Sequence, residues 1–302
     1  MLKRLLAGIA RRRHLAAATA RSRKPTEDAR REQVQRLLDR QNRLLSRECI
    51  LASPNRRGLR NQTGTLLEDA FIDLAAALQP TLSVEIGAHE ASFSERLKAK
   101  CPALHAIAFE ASPRVFGFHA ARLQLPTVGV DYRHLAISDE DGIAELRMPV
   151  DQDGAPLDAG ISSLLHRANF PHGYETARVP ALTLDSALAD FDTTGSVAWI
   201  DVEGAQHKII AGGREYFTRV AALYIEVERV AVWTEQRIDG ELTDMLADFS
   251  LIPVMRDELA SSQFNQIYVR ADRDIIEAAL PVTSRYVTAL ENMVRTAESN
   301  PP

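Results

Sequence analysis

The chain has 302 residues, 45% hydrophobic and 25% charged, enough for one large α/β domain with appendages and a real core. No apolar run approaches the roughly 20 residues of a membrane-spanning helix, so the body is expected to be soluble. Two cysteines, Cys49 and Cys101, exclude a disulfide framework and a thiolate metal cluster, and they suit a reducing, cytoplasmic compartment.

The formal net charge of −5 hides a split. Residues 1–60 carry 17 Lys/Arg against 5 Asp/Glu, and the other 242 residues carry 19 against 36. A basic arm thus precedes an acidic body, and it can meet anionic lipid, nucleic acid or the body itself. Residues 1–26 hold Arg11, Arg12, Arg13, Arg21, Arg23 and Lys24 with no acid before Glu27. Leu2, Leu5, Leu6 and Ile9 fall at helical spacing, which predicts a flexible or interfacial arm for the inner face of an anionic membrane.

Residues 27–64 read as a helical extension. Val34, Leu37, Leu44 and Leu51 recur at helical spacing, with Gln41 at one seam position. The stripe is too short for a coiled coil, though it offers a surface for a homo-oligomer. A second helix is predicted from Thr65 to Pro80, opened by a Thr65–Glu68 capping box and lined by Leu67, Phe71, Leu74 and Leu78.

Strands and helices then alternate. Strands are predicted over 82–86, 104–109, 127–134, 197–200 and 223–227. Helices are predicted over 92–100, with a Ser92–Glu95 capping pair, over 113–123, and from Gly204 to Gly212-Gly213. Two further strands, 251–255 and 266–269, follow each other with no helix between. The pattern predicts an α/β, doubly wound, mostly parallel seven-stranded sheet ending in an antiparallel hairpin. This domain spans 65–272, and 273–302 reads as a C-terminal helical tail.

Three constellations carry chemistry. Val84-Glu85-Ile86-Gly87-Ala88-His89 runs from a strand through a tight turn into a helix, where Gly87 lets the backbone approach a ligand. Ala108-Phe109-Glu110 ends the next strand with an acid suited to both hydroxyls of a ribose. Ile200-Asp201-Val202-Glu203-Gly204-Ala205 delivers two acids to a strand tip beside a helix start. Asp201 is the first candidate for a general base and His207 the second. Glu226 and Glu228 share one face of the fifth strand, placed to bind substrate hydroxyls or a cation. His166 and His172 lack partner ligands at metal spacing, and no metal site is assigned.

In the order and spacing of these pieces, residues 81–271 resemble the FkbM family of methyltransferases, a branch of the class I S-adenosylmethionine-dependent enzymes. The matching residues are Glu85 to Ala88 with Phe93-Ser94, Ala108 to Glu110 with Pro113, and Ala136-Ile137-Ser138-Asp139 with Asp141-Gly142. They continue with Ser162-Ser163-Leu164, Val179 with Thr183-Leu184-Asp185, Ile200 to Ala205 with Gly212, and Asn265. The resemblance implies that Glu85, Gly87, Ala88, His89, Phe93 and Ser94 hold the methionine part of S-adenosylmethionine. It implies that Glu110, with Ala111 and Ser112, holds the ribose, and that Ala136, Ile137 and Ser138 lie beside the adenine. Asp201 and Glu203 then line the reaction centre, with Ser162 and Ser163 on the substrate side. Hydroxyls of sugars and polyketides are the acceptors this family implies. The chain departs from the family pattern where Glu85 replaces the commoner Asp and where His89, Glu90 and Ala91 replace an Asn-x-Gly stretch.

Two rival readings are a nucleic-acid methyltransferase gripping phosphates with the arm, and a non-catalytic cofactor-binding scaffold. The acidic body and the lack of interleaved basic and aromatic residues argue against the first. The Glu110 and Asp201 motifs argue against the second. The arm has its own test, co-sedimentation of the full chain and of residues 27–302 with phosphatidylserine-containing liposomes. Salt-sensitive binding of the full chain alone is expected, and equal partitioning would remove the tether.

Overall fold

A computed structural model gives the positions of residues 26–46, 56–155, 157, 160–167, 170–258, 260 and 262–299. Residues 1–25 of the basic arm, and with them the expected membrane contact, lie outside the described residues.

Among the described residues two helices precede the first strand, α1 (Glu27–Leu44) and α2 (Arg56–Leu78). Thr26 caps α1 by accepting from Ala29 N at 3.3 Å. The buried face of α1 is Val34, Leu38, Gln41 and Leu45. Leu37 and Leu44 are only half-buried and Leu51 falls outside the described residues, so the true stripe is rotated from the expected one. A straight helix of 3.6 residues per turn drifts off a strict heptad, and burial follows the straight helix.

The second helix starts at Arg56 rather than at Thr65. Thr65 is interior and its hydroxyl donates back to Asn61 O at 3.2 Å, while Glu68 pairs with Arg96 instead of capping. The helix therefore runs through the boundary drawn at residue 64. Gly58 and Gly64 each cost about 1 kcal/mol in a helix interior, and burial of Leu59, Leu67 and Phe71 outweighs that cost.

The remaining elements are β1 (Leu82–Ile86), α3 (Ser92–Lys100), β2 (His105–Glu110), α4 (Pro113–Ala120), β3 (Val130–His134), β4 (Ala136–Ser138), β5 (Gly142–Pro149) and β6 (Tyr174–Thr183). They continue with α5 (Leu184–Ala187), β7 (Val197–Ile200), α6 (Gln206–Gly212), α7 (Arg214–Phe217) and β8 (Ala222–Glu228). The last are α8 (Asp239–Ala247), β9 (Leu251–Arg256), β10 (Gln263–Arg270) and α9 (Arg273–Ser299). Seven strands form one sheet in the order β3-β2-β1-β7-β8-β10-β9. The first five are mutually parallel, and β10 runs antiparallel between β8 and β9. This is the predicted doubly wound sheet with its terminal hairpin. β1 and β8 are buried at every position because helices cover both faces.

Several local expectations are corrected. Ala91, in the left-handed region, is the N-cap of α3 with no side-chain cap, so Ser92 and Glu95 form no capping box. A 3-10 turn over Leu125–Val128 delays β3 to Val130. A second sheet, β4-β6-β5, lies between β3 and α5 in the chain and had no sequence signal. Its strands are largely exposed on one side, which weakens their apolar pattern. Nor is α9 a tail. Ile276, Ala279, Val282, Tyr286 and Leu290 are buried in the same core cluster as Phe71 of α2 and Val254 of β9.

One face of the sheet is stitched to α2 by rings. Trp199 and Tyr224, paired in register on β7 and β8, stack at 3.6 Å, and Phe71 and Phe93 close over them. The sheet edge at β9 is sealed by side chains. Gln41 Nε2 donates to Val254 O at 2.8 Å, Arg256 N donates to Gln41 Oε1 at 3.0 Å, and the Tyr286 hydroxyl donates to Arg256 O at 2.6 Å. The edge is thereby closed to a further strand by α1 and α9 of the same chain. Gln41→Leu leaves those strand groups buried without partners, at about 1–3 kcal/mol. Calorimetry is expected to show Tm lower by roughly 2–4 °C for each kcal/mol. An unchanged Tm would mean that α1 adds nothing to the edge.

Candidate functional site

The strand order reverses between β1 and β7, and crevices open at the carboxyl ends of strands at such a point. A cleft open to solvent lies there. Its floor is built from the ends of three strands, Ile86-Gly87, Phe109-Glu110 and Asp201-Val202-Glu203. The second sheet and its β5–β6 loop supply the opposite wall, with Ala136, Ile137, Leu146, Gly160, Ser162, Ser163 and Leu164.

Backbone geometry at the floor is tight. Gly87 sits at φ +78°, and a Cβ there would lie 1.8 Å from Asp201 O. Gly87 N and Ala88 N both donate to Phe109 O at 3.0 Å, and Asp201 N donates to Ile86 O at 2.9 Å. The ends of β1, β2 and β7 are therefore locked through backbone groups. Gly204, at φ +76°, has no room for a Cβ because the Trp233 ring would be 2.5 Å away.

Glu110 projects into the cleft with its carboxylate fixed by two amides. Ser112 N donates to Oε1 at 2.7 Å and His89 N donates to Oε2 at 2.9 Å. Burial pushes its carboxyl above the usual range, and those two amides and the neighbouring His89 and His134 oppose the shift. The His89 carbonyl in turn accepts from the Tyr132 hydroxyl.

Acids crowd the ends of β7 and β8. Asp201 is exposed at the floor of the cleft. Desolvation, then the charge of Glu68, pushes its carboxyl up to about 6, with His89 opposing. Desolvation and then Asp201 push Glu203 up to about 7, against Arg167 and the Trp233 indole. Desolvation and Glu203 push Glu228 to about 7, and Glu226 is raised by desolvation with Asp201 next. Gln206 Nε2 ties the two strand ends together, donating to Val202 O at 2.9 Å, Glu226 O at 3.0 Å and Glu228 Oε2 at 3.4 Å.

Gly87, His89, Glu110, Ala111, Ser112, Ala136, Ile137, Ser162, Ser163, Asp201 and Glu203 line the cleft. Ser163 also holds the wall in place, because its hydroxyl donates to Glu203 O and accepts from Leu165 N at 2.9 Å. The other nominated residues stand behind the lining. Glu85 is 3% exposed inside β1, and its carboxylate accepts from Phe93 N at 3.3 Å and Ser94 N at 2.9 Å. It caps α3 from inside β1. Ala88, Phe93 and Ser94 are buried with it. Ser138 is buried and donates to Asp139, which pairs with Lys208. His207 sits half-buried in the first turn of α6 outside the lining, and desolvation and Lys208 depress its pKa. Glu226 and Glu228 are buried in β8, the strand next to β7 in the same sheet, and do not line the cleft.

Sequence reasoning missed Leu146 of β5, Gly160 of the β5–β6 loop, and Gln206, whose role appears only once β7 and β8 are neighbours. Asp141 and Asp185 of the family pattern are structural. Asp141 accepts from Thr183 N at 2.6 Å and Ser186 Oγ at 2.8 Å, and Asp185 caps α7 at Glu215 N and Tyr216 N.

A family model described as the methyltransferase FkbM domain matches residues 85–264. The chain is 26% identical over 211 residues to the 2-O-methyltransferase NoeI of Sinorhizobium fredii, covering 65% of this chain and 83% of that protein. Among solved structures it is similar to methyltransferase FkbM from Methylobacillus flagellatus, at 9% identity and a TM-score of 0.40, covering 63% of this chain and 44% of that one. It is also similar to magnesium protoporphyrin IX methyltransferase from Synechocystis, at 10% identity and a TM-score of 0.39, covering 77% and 90%.

The buried cap predicts a pH effect. Desolvation pushes Glu85 up to about 7, against the hydrogen bonds from Ser94 and Phe93. The native chain then keeps a proton that the unfolded chain releases above 4.5, so stability falls as pH rises from 4.5 toward 7. Denaturant unfolding across that window is expected to show a Glu85 contribution on the order of 2–3 kcal/mol. Glu85→Gln removes that slope, whatever constant offset the altered cap brings. Parallel pH curves for the two proteins would exclude Glu85 as its source.

Proposed function

The chain belongs to the FkbM family of methyltransferases, and on that premise we propose that it transfers a methyl group from S-adenosylmethionine to a hydroxyl of a sugar, glycan or other small acceptor. The observation that carries the donor assignment is Glu110, held by two backbone amides in the cleft beside the Gly87 turn. A carboxylate so fixed accepts from both hydroxyls of a ribose. The turn at Gly87, with no Cβ, lets the methionine part lie against the backbone. Ala136, Ile137 and Leu146 offer the apolar wall that an adenine ring needs. The residues present therefore fit the donor.

The bound donor supplies a methyl already activated on a positive sulfonium, open to in-line displacement. Holding the reactants in that line lowers the barrier by about 7–11 kcal/mol. Asp201 takes the proton from the acceptor hydroxyl as its oxygen attacks, a contribution of roughly 10²–10⁴-fold. A carboxyl near 6 is ionised at neutral pH and more basic than an ordinary aspartate. Asp201, ionised at neutral pH, lends the cleft a negative potential that would attract the cationic donor. Negative potential at the mouth also repels a phosphate backbone, against a nucleic-acid acceptor. The similarity to a 2-O-methyltransferase supports an oxygen acceptor.

Calorimetry with S-adenosylhomocysteine, and transfer of labelled methyl to a panel of oligosaccharides, test both parts. Glu110→Ala is expected to weaken binding by about 10–100-fold. Asp201→Asn keeps binding and loses roughly 10²–10⁴-fold in turnover. No binding by the unaltered protein would sink the donor assignment. Full activity of Asp201→Asn would remove Asp201 as the base.

A further inference from the structure

Three side chains with metal-ligating atoms meet at the edge of the cleft. His89 and Glu90 lie in the turn between β1 and α3, and His119 lies in the last turn of α4. One ligand atom from each can be chosen so that all three lie within 4.8 Å of one another. The two imidazole rings are 4.6 Å apart between centroids with planes inclined by 57°. His119 is buried, His89 half-buried and Glu90 exposed.

We propose that His89, Glu90 and His119 form a binding site for a divalent transition cation of the zinc class. Two imidazoles and one carboxylate with open positions make a ligand set that Zn²⁺, Co²⁺ and Ni²⁺ accept. The set is poor in oxygen, which disfavours Mg²⁺ and Ca²⁺. Bonds of about 2.0–2.2 Å around a tetrahedral ion place neighbouring ligand atoms about 3.3–3.5 Å apart. The three atoms lie within 4.8 Å, and the exposed Glu90 is the ligand with room to turn toward the other two. The imidazole of His89 projects from a backbone already fixed at both ends, its N–H on Glu110 and its carbonyl on the Tyr132 hydroxyl. His119 is fixed by helix α4. Two of the ligands are thus presented by rigid supports, which lowers the ordering cost of binding.

The site bridges two separate elements. A cation there fastens the β1–α3 turn, whose amide orients Glu110, to helix α4. His89 and Glu90 stand within the stretch where this chain departs from its family's Asn-x-Gly pattern, so the ligand pair is a property of this chain's own residues. The third ligand is distant in sequence, and only the fold brings it to the turn.

The test uses the full chain, stripped with a chelator and titrated with Zn²⁺ by calorimetry and with Co²⁺ by visible absorption. One equivalent of Zn²⁺ is expected to bind, with a Co²⁺ spectrum of low coordination number. Glu90→Ala, at an exposed position, and His119→Ala are each expected to weaken Zn²⁺ binding by roughly tenfold or more. His119→Gln keeps the side-chain volume should His119→Ala fail to fold, and thermal melts verify each variant. His172→Ala, on an exposed loop, is expected to bind as the unaltered chain does. Absence of stoichiometric Zn²⁺ binding overturns the site, as does binding that survives both Glu90→Ala and His119→Gln. A stronger response to Mg²⁺ than to Zn²⁺ overturns the cation class.

Discussion

The backbone contact between Gly87 and Asp201 is the constraint on which the cleft depends. Parallel strands β1 and β7 end side by side, and their last residues approach until no Cβ fits between them. With Asp201 N on Ile86 O, and Gly87 N and Ala88 N on Phe109 O, three strand ends are set in one frame. Every functional side chain on the floor inherits its place from that frame. Glu110 extends from β2 and Asp201 from β7, and the apolar wall closes over them. A side chain at Gly87 would push β1 and β7 apart at the point where the acids converge.

The frame carries an unusual electrostatic load. β8 is buried over its whole length and yet holds Glu226 and Glu228, while β1 buries Glu85. Burying charge without full compensation is costly, and carboxyls respond by holding protons to higher pH. Glu85 is compensated by two helix amides, and Glu228 by Gln206. Asp201 has the cleft itself as its outlet. Carboxylic acids therefore take three different jobs, set by what surrounds each. The general reading "acid at a strand tip" does not separate these jobs.

That distinction marks how much was legible in the sequence. The parallel strands were legible because both faces are covered, which writes them as apolar runs. Glu110, Asp201 and the Gly87 turn were legible because the strand-to-turn punctuation places them at the carboxyl edge. The second sheet was not legible, since its half-exposed strands blur the alternation and a long loop divides β5 from β6. The direction of Glu85 was also hidden. Its spacing to Phe93 and Ser94 is local, but only the start of α3 at Ser92, set by left-handed Ala91, turns those amides toward the carboxylate. The helix faces of α1 and α9 depended on contacts across more than 200 residues of chain, such as Gln41 with Val254.

The β1–α3 turn shows how the same frame tolerates strain. His89 and Ala91 both hold positive φ, at 46° and 60°, without being glycine. Such residues cost on the order of 1–3 kcal/mol each and persist only where their surroundings over-determine them. Here the surroundings do so. His89 is held by Glu110 at its amide and Tyr132 at its carbonyl, while Ala91 N is bonded to Ala88 O and the Ala91 side chain is fully buried. Glycines at these positions would relieve the strain but would leave no imidazole and a looser turn. The chain instead keeps a rigid turn whose amide aims Glu110, and the strain is offset by hydrogen bonds that also build the cleft. Rigidity of the turn and orientation of the carboxylate are thus one physical fact seen from two sides.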